Sequence, residues 1–529
     1  MYIIKEKNDK WILIKKGAKR AAKTFNTKAE AVSYAEMKGY KYDIAGTKID
    51  NVARKIKKKP NVIIPIIVVL LLVLIGVTAY LYFSGNLTPI INSITKKEDK
   101  TQETNKVTDE TNEKHAHIDL GTTEHKDIVE DVLYDDFQIH FMMLGNDAAG
   151  DSIYIKAGDT DILIDAGSES NSFTTTSAYI NQYCKDKKLE YVIATHGDAD
   201  HIAAFPKFFQ NYAVDTCIDF SCETSEQFQS FKSSGAKSRS YFAGTTKTTA
   251  TYGNYLKARD QYAKHHYTAG ECFKNLNGAS SQYQLSDNVT MTFLYNYYYF
   301  DNDNNNKADS DDENNFSVCT LFSYIKDGKS QHFILTGDLE LEGEKKMAAY
   351  YDGSTKEKTL PEVELYKAGH HGSKTSSNDC LLSIIKPKIC VVCCCAGTSE
   401  YTYNVQHQFP TQSFINHIAK YTSRVYVTTV LENKGGSWTH TAMNGNVIIS
   451  EGINGIGIKA SNNLTKLKDS EWFNRKIYAV ESFTYKDNEN GDSFKVYKNC
   501  DKTGTTDYYT KDTPNAVLIK QRIWPSYGI

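Results

Sequence analysis

The chain has 529 residues, of which 40% are hydrophobic, 24% charged and 12% aromatic. This length exceeds one ordinary domain and predicts two to four units, and the composition excludes a wholly disordered, collagen-like or multi-spanning membrane protein. The formal net charge of −2 conceals an asymmetry, because residues 1–60 carry 17 Lys and Arg against 6 Asp and Glu, and the remainder carries 45 against 58. The two parts therefore have net charges of +11 and −13.

The first 46 residues predict a small ββα domain. Two alternating strands flank a polar turn at residues 8–10, and a helix follows in which Thr27 and Glu30 form a capping box and Gly39 marks the end. This stretch resembles a small bacterial domain family of unknown function, so no activity follows from the resemblance. Residues 47–61 form a basic segment that leads into an apolar run.

Residues 62–83 form an uncharged run of 22 residues. As a helix that rises about 1.5 Å per residue, this run would span about 33 Å, which is enough to cross a bilayer. Five basic residues precede it at positions 54–59, and the next one after it is Lys96. The positive-inside rule therefore predicts a single-pass protein of the cell membrane, with a cytoplasmic N-terminus and an extracellular C-terminal part.

The extracellular part is predicted to begin with a flexible linker, because residues 84–135 are polar, charged and poor in aromatic side chains. From residue 136 to 452, apolar strand runs alternate with helical stretches, which is the pattern of a layered α/β domain. Residues 453–529 predict a C-terminal β extension. The adjacent Cys393, Cys394 and Cys395 are expected to be buried thiols, and a disulfide between Cys217 and Cys222 stays open.

The densest group of chemically active side chains is the segment 195–201, Thr-His-Gly-Asp-Ala-Asp-His, which follows the apolar run 191–194. Two imidazoles and two carboxylates at a strand end can direct several ligand atoms toward one or two cations. Further motifs stand on either side of this segment: Gly150-Asp151-Ser152 and ILIDAG at 162–167 before it, and LTGD at 335–338 and GHHGS at 369–373 after it.

In this order the motifs resemble the metallo-β-lactamase superfamily, in which a four-layer αββα sandwich holds a dinuclear metal centre. Asp198 stands where the superfamily motif has its second His, and the resulting form H-x-D-x-D-H is similar to the hydrolase domain of ComEC-type DNA-uptake proteins. The likeness covers residues 137–452, about 60% of the chain. ComEC-type proteins also carry many membrane helices that form a channel, whereas this chain predicts one helix, so channel activity is not carried over.

The resemblance implies seven candidate ligands for two divalent cations, all imidazoles or carboxylates: His196, Asp198, Asp200, His201, Asp338, His370 and His371. The first two would bind one cation, the next two the other, and Asp338 would bridge both, because two close cations need a shared anion. Either His370 or His371 would close the second site, and the sequence leaves both open. Zinc is the family default, and the extra carboxylate oxygen of Asp198 keeps Mn²⁺ or Mg²⁺ as alternatives.

Further roles follow around these ligands. The candidate catalytic residues are Asp200, which could orient the nucleophile, together with Asp338, His371, Lys374 and His407. Lys374 is a candidate contact for a phosphate oxygen, and His407 stands near the position where related proteins have a His-Pro pair. Asp165 is expected to accept a hydrogen bond from a ligand imidazole.

These residues predict an outward-facing, metal-dependent hydrolase, and the ComEC resemblance favours a phosphodiesterase or nuclease that acts on DNA. The net charge of −13 after residue 60 argues against strong duplex binding, which relies on Lys and Arg. One alternative is therefore a phosphodiesterase for a small envelope substrate such as a choline phosphate ester. Another is a non-catalytic, metal-binding surface sensor. From the sequence, the protein partners are unknown.

Overall fold

The structure is a computed structural model. It describes residues 2–7, 10–15, 23–25, 42–44, 120–235, 244–305, 307–398, 400–401, 407–434, 437–480, 483–486, 493–496, 499–501, 516–520 and 522–527. Within these ranges, no helix has both the length and the apolar character needed to span a bilayer. The predicted membrane helix at 62–83 lies outside the described residues, as does most of the predicted linker.

The chain divides into two compact units, residues 1–109 with 484–496 and residues 110–483 with 497–529. The smaller unit contains strands β1 (Tyr2–Lys7), β2 (Lys10–Lys15), β3 (Lys23–Phe25) and β4 (Tyr42–Ile44), which form one sheet in the order β3-β2-β1-β4. The two strands that the sequence predicted are confirmed as the antiparallel hairpin β1–β2. Strands β3 and β4 were not predicted, and the predicted helix lies outside the described residues.

The strands that follow in chain order are β5 (Thr122–Thr123), β6 (Ile128–Glu130), β7 (Phe137–Phe141), β8 (Ser152–Ala157), β9 (Thr160–Ala166), β10 (Lys188–Ala194), β11 (Ala213–Asp219), β12 (Ala263–Thr268), β13 (Gln282–Gln284), β14 (Val289–Phe293), β15 (Thr320–Lys326), β16 (Lys329–Leu335), β17 (Leu365–Lys367), β18 (Ile389–Ala396), β19 (Val425–Lys434), β20 (Ser437–Ala442), β21 (Val447–Gly452), β22 (Gly455–Ala460), β23 (Lys476–Val480), β24 (Phe483–Lys486), β25 (Ser493–Val496), β26 (Asn499–Asp501) and β27 (Ala516–Lys520).

The α-helices among the described residues are α1 (Ser172–Ile180), α2 (Ala199–Ile202), α3 (Phe205–Asn211), α4 (Ser225–Ser234), α5 (Ala250–Tyr262), α6 (Ala269–Lys274), α7 (Leu341–Tyr350), α8 (Asp379–Ile385), α9 (Gln412–Ile418) and α10 (Glu471–Asn474). Several begin with side-chain caps that the sequence encodes. Thr224 and Gln227 form a full capping box at α4, and Thr249 caps α5 through the backbone N–H of Tyr252.

Two large sheets form the centre of the larger unit. The first has the order β12-β11-β10-β9-β8-β7-β21-β22-β6, and the second has the order β13-β14-β15-β16-β17-β18-β19-β20, with β5 paired to β16. The aromatic rings of Phe137 on the first sheet and Phe333 on the second lie 5.2 Å apart between centroids, so the sheets pack face to face.

Strand β18 illustrates the layering, because its side chains alternate between two apolar clusters. Positions 389, 391 and 393 belong to the cluster between the sheets, and positions 390, 392 and 394 belong to a second cluster that includes residues of α7, α8 and α9. Helices α1, α3 and α5 contact the first sheet. The arrangement is the mixed α/β, helix–sheet–sheet–helix sandwich that the resemblance implied.

The cysteines behave as predicted where they are described. Cys393, Cys394 and Cys395 are free and buried, because they lie inside a strand that is covered on both faces. Cys217 is a free thiol, so the open possibility of a disulfide between Cys217 and Cys222 is not realised.

The edges of the domain differ from the predicted boundaries. Residues 120–135 were assigned to the linker, but they contain β5 and β6, which pair with β16 and β22. These strands are too short to stand out in a polar sequence, and the pairing with β16 and β22 orders them. At the other end, the predicted boundary after residue 452 falls between β21 and β22, which are antiparallel partners.

Candidate metal centre

The candidate ligands follow strands whose carboxyl ends share one edge of each sheet. Strand β10 ends directly before the segment 195–201 and runs parallel to β9, and β16 ends directly before Thr336-Gly337-Asp338 and runs parallel to β17. Strand β17 in turn leads to His370 and His371. Parallel strands end at the same edge of their sheet, so β16 and β17 bring Asp338 and His370–His371 together, while β10 brings the segment 195–201 from the facing sheet.

Four of the predicted ligands form a tight group. The Nε2 atom of His371 lies 3.3 Å from Nε2 of His201, 3.2 Å from Oδ2 of Asp200 and 3.1 Å from Oδ2 of Asp338. The Nε2 atom of His201 lies 3.2 Å from Oδ2 of Asp338. These nitrogen and oxygen atoms are therefore directed at one common space, as the ligands of a single cation would be.

Asp338 divides its two oxygens between different partners. Its Oδ1 atom accepts a hydrogen bond from Nζ of Lys367 at 3.1 Å, while Oδ2 faces the imidazoles of His201 and His371. The Nε2 atom of His370 also lies 3.9 Å from this Oδ2 atom. Because Lys367 occupies Oδ1, Oδ2 is the oxygen that is placed to contact cations.

The Nδ1 atoms of the two buried imidazoles are held by other groups. Nδ1 of His201 lies 2.7 Å from Oδ2 of Asp165, and Nδ1 of His371 lies 2.9 Å from the backbone oxygen of Cys393. The predicted hydrogen bond from the imidazole of a candidate ligand to Asp165 is thus confirmed. Asp165 also accepts hydrogen bonds from the backbone N–H and the hydroxyl of Thr195, both at 2.8 Å. With a proton on each Nδ1, both Nε2 atoms present lone pairs.

Asp151 is the residue that sequence reasoning left without a role. Its carboxylate forms a compact buried group with His201, Asp338 and His371, whose candidate ligand atoms all lie within 4.8 Å of one another. However, Asp151 faces the Nδ1 edges of the rings, at 3.3 Å from His371 and 3.9 Å from His201, and it pairs with Nζ of Lys367 at 2.5 Å. We therefore favour the Nε2 side, where Asp200 completes the set, as the cation position.

Lys367 was also missed by sequence reasoning. It is fully buried, and its ammonium group joins Asp151 and Asp338, residues that are 187 positions apart in the chain. A lysine that ends the apolar strand β17 is a usable signal, because buried lysines occur almost only where a carboxylate is paired with them. That signal does not identify the partners, which only the fold brings together.

The first candidate pair, His196 and Asp198, lies beside this group and is less enclosed. His196 is fully buried, and its Nε2 atom has no hydrogen-bond partner and lies 3.8 Å from Oδ2 of Asp198. The side chain of Asp198 is 28% exposed and forms an ion pair with Lys247. An unpartnered buried nitrogen is costly in a folded protein, so it marks a position where a further ligand fits.

His370 and His371 are separated by their environments. Both have left-handed backbone conformations, with φ of 44° and 55°, which are strained for residues other than glycine and recur at functional sites. His371 is fully buried among the other candidate ligands. The side chain of His370 is 19% exposed, and its Nδ1–H donates a hydrogen bond to Oε1 of Glu340 at 3.0 Å. This contact directs His370 to the rim of the group.

The two remaining candidates lie at the surface. Lys374 is exposed and lines a cavity of about 360 Å³ together with Asp312, Glu340 and Thr375. His407 is exposed on the segment before Pro410. Neither side chain belongs to the buried ligand group, and both roles stay predictions.

The charges of the group follow from its crowding. Burial opposes protonation of His201 and His371, but the carboxylate of Asp338, together with Asp165 for His201 and Asp151 for His371, outweighs burial and raises their pKa values well above the usual range. Burial also opposes ionisation of Asp338, and His371 and Lys367 outweigh it and lower its pKa. For His196, burial dominates and lowers the pKa to about 4.

The residues present fit a divalent metal centre. The donors are imidazole nitrogens and carboxylate oxygens, the types that Zn²⁺ and Mn²⁺ accept. Oδ1 of Asp151 and Nε2 of His196 are buried polar atoms without a hydrogen-bond partner, and the second of these faces the ligand side. Several carboxylates and imidazoles lie together in one buried space, and bound cations would offset the negative charge of the carboxylates.

Comparison with known proteins assigns the fold. Residues 145–218 match the family model of the metallo-beta-lactamase superfamily, and this stretch contains the motif from His196 to His201. This stretch is therefore similar to the metallo-beta-lactamase superfamily, and it contains four of the candidate metal ligands. Residues 2–58 match the model described as uncharacterized protein conserved in bacteria (DUF2188), which agrees with the resemblance predicted for the N-terminal domain.

Individual proteins were also compared. Recombination protein 2 of Haemophilus influenzae, a ComEC-type protein, is 32% identical over 106 residues, which are 20% of this chain. The match spans 11% of the length of that relative. Among solved structures, the metallo-beta-lactamase fold protein YhfI from Bacillus subtilis is 13% identical and covers 57% of this chain and 100% of its own, with a TM-score of 0.29. A Cronobacter sakazakii metallo-beta-lactamase with a HARLDQ motif is 11% identical over 47% of this chain and 78% of its own, with a TM-score of 0.24.

Proposed function

We propose that this chain is a membrane-anchored, outward-facing phosphodiesterase that uses two divalent cations to hydrolyse DNA. The observation that carries the metal-dependent part is the convergence of Nε2 of His201, Nε2 of His371 and Oδ2 of Asp200 around Oδ2 of Asp338. Zinc or manganese is the proposed metal. The anchor is the apolar run at 62–83, which the sequence predicts as a helix.

The ligand assignment follows the geometry of the donors. One cation would be held by Asp200, His201 and His371, because the three pairs of their donor atoms are 3.2, 3.3 and 3.8 Å apart. The other would be held by His196 and Asp198. Oδ2 of Asp338 would contact both cations, and His370 remains at the rim, 3.9 Å from that oxygen.

Bound divalent cations supply Lewis acidity, which stabilises the negative charge that develops on a phosphodiester during attack by water. The protein side chains prepare this site. Asp165 and the Cys393 carbonyl fix the imidazoles of His201 and His371 with Nε2 facing inward. Lys367 neutralises Asp151 and holds Asp338 in place, and Asp200, which is 17% exposed, is positioned at the opening to orient a water molecule.

The substrate class is supported by the similarity to Recombination protein 2 over 106 residues and by the proposed chemistry, which suits a phosphodiester. The net charge of −13 after residue 60 predicts weak affinity for duplex DNA and a steep dependence on salt concentration. A small envelope phosphodiester, such as a choline phosphate ester, is the alternative substrate.

The proposal is tested with the full-length chain in detergent and end-labelled linear and single-stranded DNA, with added Mn²⁺ or Zn²⁺. We expect metal-dependent fragmentation that is lost in Asp338→Asn and retained in Asp215→Asn, an exposed carboxylate on β11 that serves as the matched control. Cleavage of a choline phosphate ester but not of DNA would replace the substrate. Bound metal without hydrolysis of either substrate would support a metal-binding sensor instead.

A further inference from the structure

Lys247 contacts the candidate metal centre from a segment that carries none of the motifs. Its ammonium group forms an ion pair with Oδ1 of Asp198, and the two side chains are 26% and 28% exposed. Besides the bridging Asp338, Asp198 and His196 are the side chains assigned to the first cation position. An ammonium group therefore stands at a carboxylate that a divalent cation is expected to need.

The fold holds Lys247 in this place. The buried carboxylate of Glu313, which is 5% exposed, accepts hydrogen bonds from the hydroxyl of Thr245 and from both the backbone N–H and the hydroxyl of Thr246, the latter two at 3.1 Å. The residues directly before Lys247 are thus tied to the larger domain. Their fixed backbone keeps the lysine side chain directed at Asp198.

Gly197 gives independent support for this close approach. A Cβ atom at that position would lie 2.6 Å from Oε1 of Glu313 and 2.9 Å from Cγ of Lys247. Any other residue between His196 and Asp198 would therefore push the side chains of Glu313 and Lys247 away from the motif. The glycine is needed at this point because both side chains pack directly on the backbone of the motif.

Among the residues that the structure describes, no lysine ammonium group pairs with the ligand side of the second cation position. The donors of Asp200, His201 and His371 face one another, and the nearest lysine, Lys367, binds Oδ1 of Asp338 and Asp151 on the other side of the group. The charge of Lys367 is matched by Asp151 at 2.5 Å. A cation that enters this position displaces no ammonium group.

We propose that Lys247 makes the two cation positions unequal. The first equivalent binds at the Asp200–His201–His371 position. The second equivalent binds at the His196–Asp198 position, and only when a cation displaces Lys247 from Asp198. This inference rests on the two-cation site of the proposed function and adds the order of loading. A cation at this position must break the Lys247–Asp198 ion pair and is repelled by the nearby positive charge, so we expect the second equivalent to bind about tenfold or more weakly than the first.

The test measures binding of Mn²⁺ alone, by the electron paramagnetic resonance signal of the free ion, to the metal-free full-length chain in detergent. Wild type is compared with Lys247→Met, which keeps the length of the side chain and removes its charge, and with Lys247→Arg, which keeps the charge. Lys264→Met is the matched control, because Lys264 forms an exposed ion pair with Asp215 at 2.9 Å and is not part of the site.

We expect wild type, Lys247→Arg and Lys264→Met to bind one equivalent tightly and a second about tenfold or more weakly. In Lys247→Met the second equivalent should tighten by about tenfold while the first is unchanged. Equal affinities in wild type, or a second equivalent that stays weak in Lys247→Met, would overturn the role of Lys247. Absence of any bound Mn²⁺ would overturn the metal centre itself, and absence of hydrolysis with unequal binding would overturn only the proposed activity.

Discussion

Two buried histidine environments in the same domain show what distinguishes a structural imidazole from a candidate ligand. His140 on β7 and His371 after β17 are both fully buried. His140 lies among Tyr154, Tyr179 and Tyr183 with ring centroids at 4.4 to 5.7 Å, and burial lowers its pKa to about 3. Burial also opposes protonation of His371, but Asp338 and Asp151 raise its pKa well above the usual range.

The groups around the imidazole, and not its burial, distinguish the candidate ligand His371 from the structural His140. His140 satisfies both ring nitrogens with neutral groups, Tyr179 at 2.8 Å and Gln138 at 3.0 Å, so it has no lone pair left for a cation. His371 uses Nδ1 for a carbonyl and directs Nε2 at two carboxylates. His196 is intermediate, because it is buried but has no carboxylate within hydrogen-bonding distance of Nε2.

The largest effect is expected from Asp338→Asn, which removes the negative charge that the imidazoles of the site share. Because metal ions contribute several kcal/mol to hydrolysis, we expect the rate of phosphodiester cleavage to fall by about a thousandfold or more. Cation affinity should fall with it. Steady-state cleavage and metal content measure both, and an Asp338→Asn variant that keeps wild-type rate and metal content would refute the role of this carboxylate.

The next largest effect is the difference in cation affinity that we expect between variants of His371 and His370. His371→Asn removes a nitrogen that lies 3.1 to 3.3 Å from three other donors, whereas His370→Asn removes one at 3.9 Å from Asp338. We expect a loss of cation affinity of about a hundredfold or more for His371→Asn and about tenfold or less for His370→Asn. Metal titrations of the two variants measure this difference. A larger loss in His370→Asn would reverse the assignment.

Asp165→Asn should have an intermediate effect, because it weakens the hydrogen bond that orients His201 without removing a ligand. Loss of such a supporting carboxylate lowers metal affinity or activity by about 10- to 100-fold. The same titration measures it, with Asp215→Asn as the control. Wild-type affinity in Asp165→Asn would show that Thr195 and the neighbouring backbone position His201 without the carboxylate.

The smallest effect is expected for the dependence of protein stability on pH through His140, the structural imidazole. The folded protein disfavours protonated His140, with a pKa of about 3 against an ordinary value of 6.5, so the unfolded state takes up the proton as pH falls between these values. The contribution of neutral His140 to the free energy of unfolding should therefore be complete above pH 6.5. It should fall toward pH 3 by up to about 1.4 kcal/mol for each pH unit.

His140→Gln removes this titration and keeps a side chain that can bond to Tyr179. We expect the difference in melting temperature between pH 7 and pH 5 to be smaller in His140→Gln than in wild type. The comparison cancels other groups that titrate over the same range. An unchanged pH dependence in the variant would mean that His140 does not contribute to acid destabilisation.

The sequence predicted the main features of the site because its motifs follow strand ends. The run before Thr195 and the run before Thr336 are apolar, so their strands were recognisable, and the parallel arrangement brings the motifs to one edge. The hydrogen bond to Asp165 was predicted because metal sites commonly require a carboxylate that accepts from a ligand imidazole. The layered fold also followed from the alternation of strand and helix patterns.

Other features depended on contacts that local pattern cannot reveal. The choice between His370 and His371 depends on two left-handed backbone conformations and on Glu340. The roles of Asp151 and Lys367 come from an ion pair between distant segments, and Lys247 reaches Asp198 only because Glu313 fixes the residues before it. Strands β5 and β6 were not predicted because the pairing with β16 and β22, and not their own composition, orders them.

The central claim is that the Nε2 side of His201 and His371 is a two-cation centre bridged by Asp338, and a crystal structure of the full-length chain soaked in Mn²⁺ tests it most directly. We expect two anomalous peaks about 3.5–4 Å apart, the stronger one beside Asp200, His201 and His371 and the weaker one beside His196 and Asp198. A single peak beside Asp151 on the Nδ1 side, or no peak at these residues, would contradict the account.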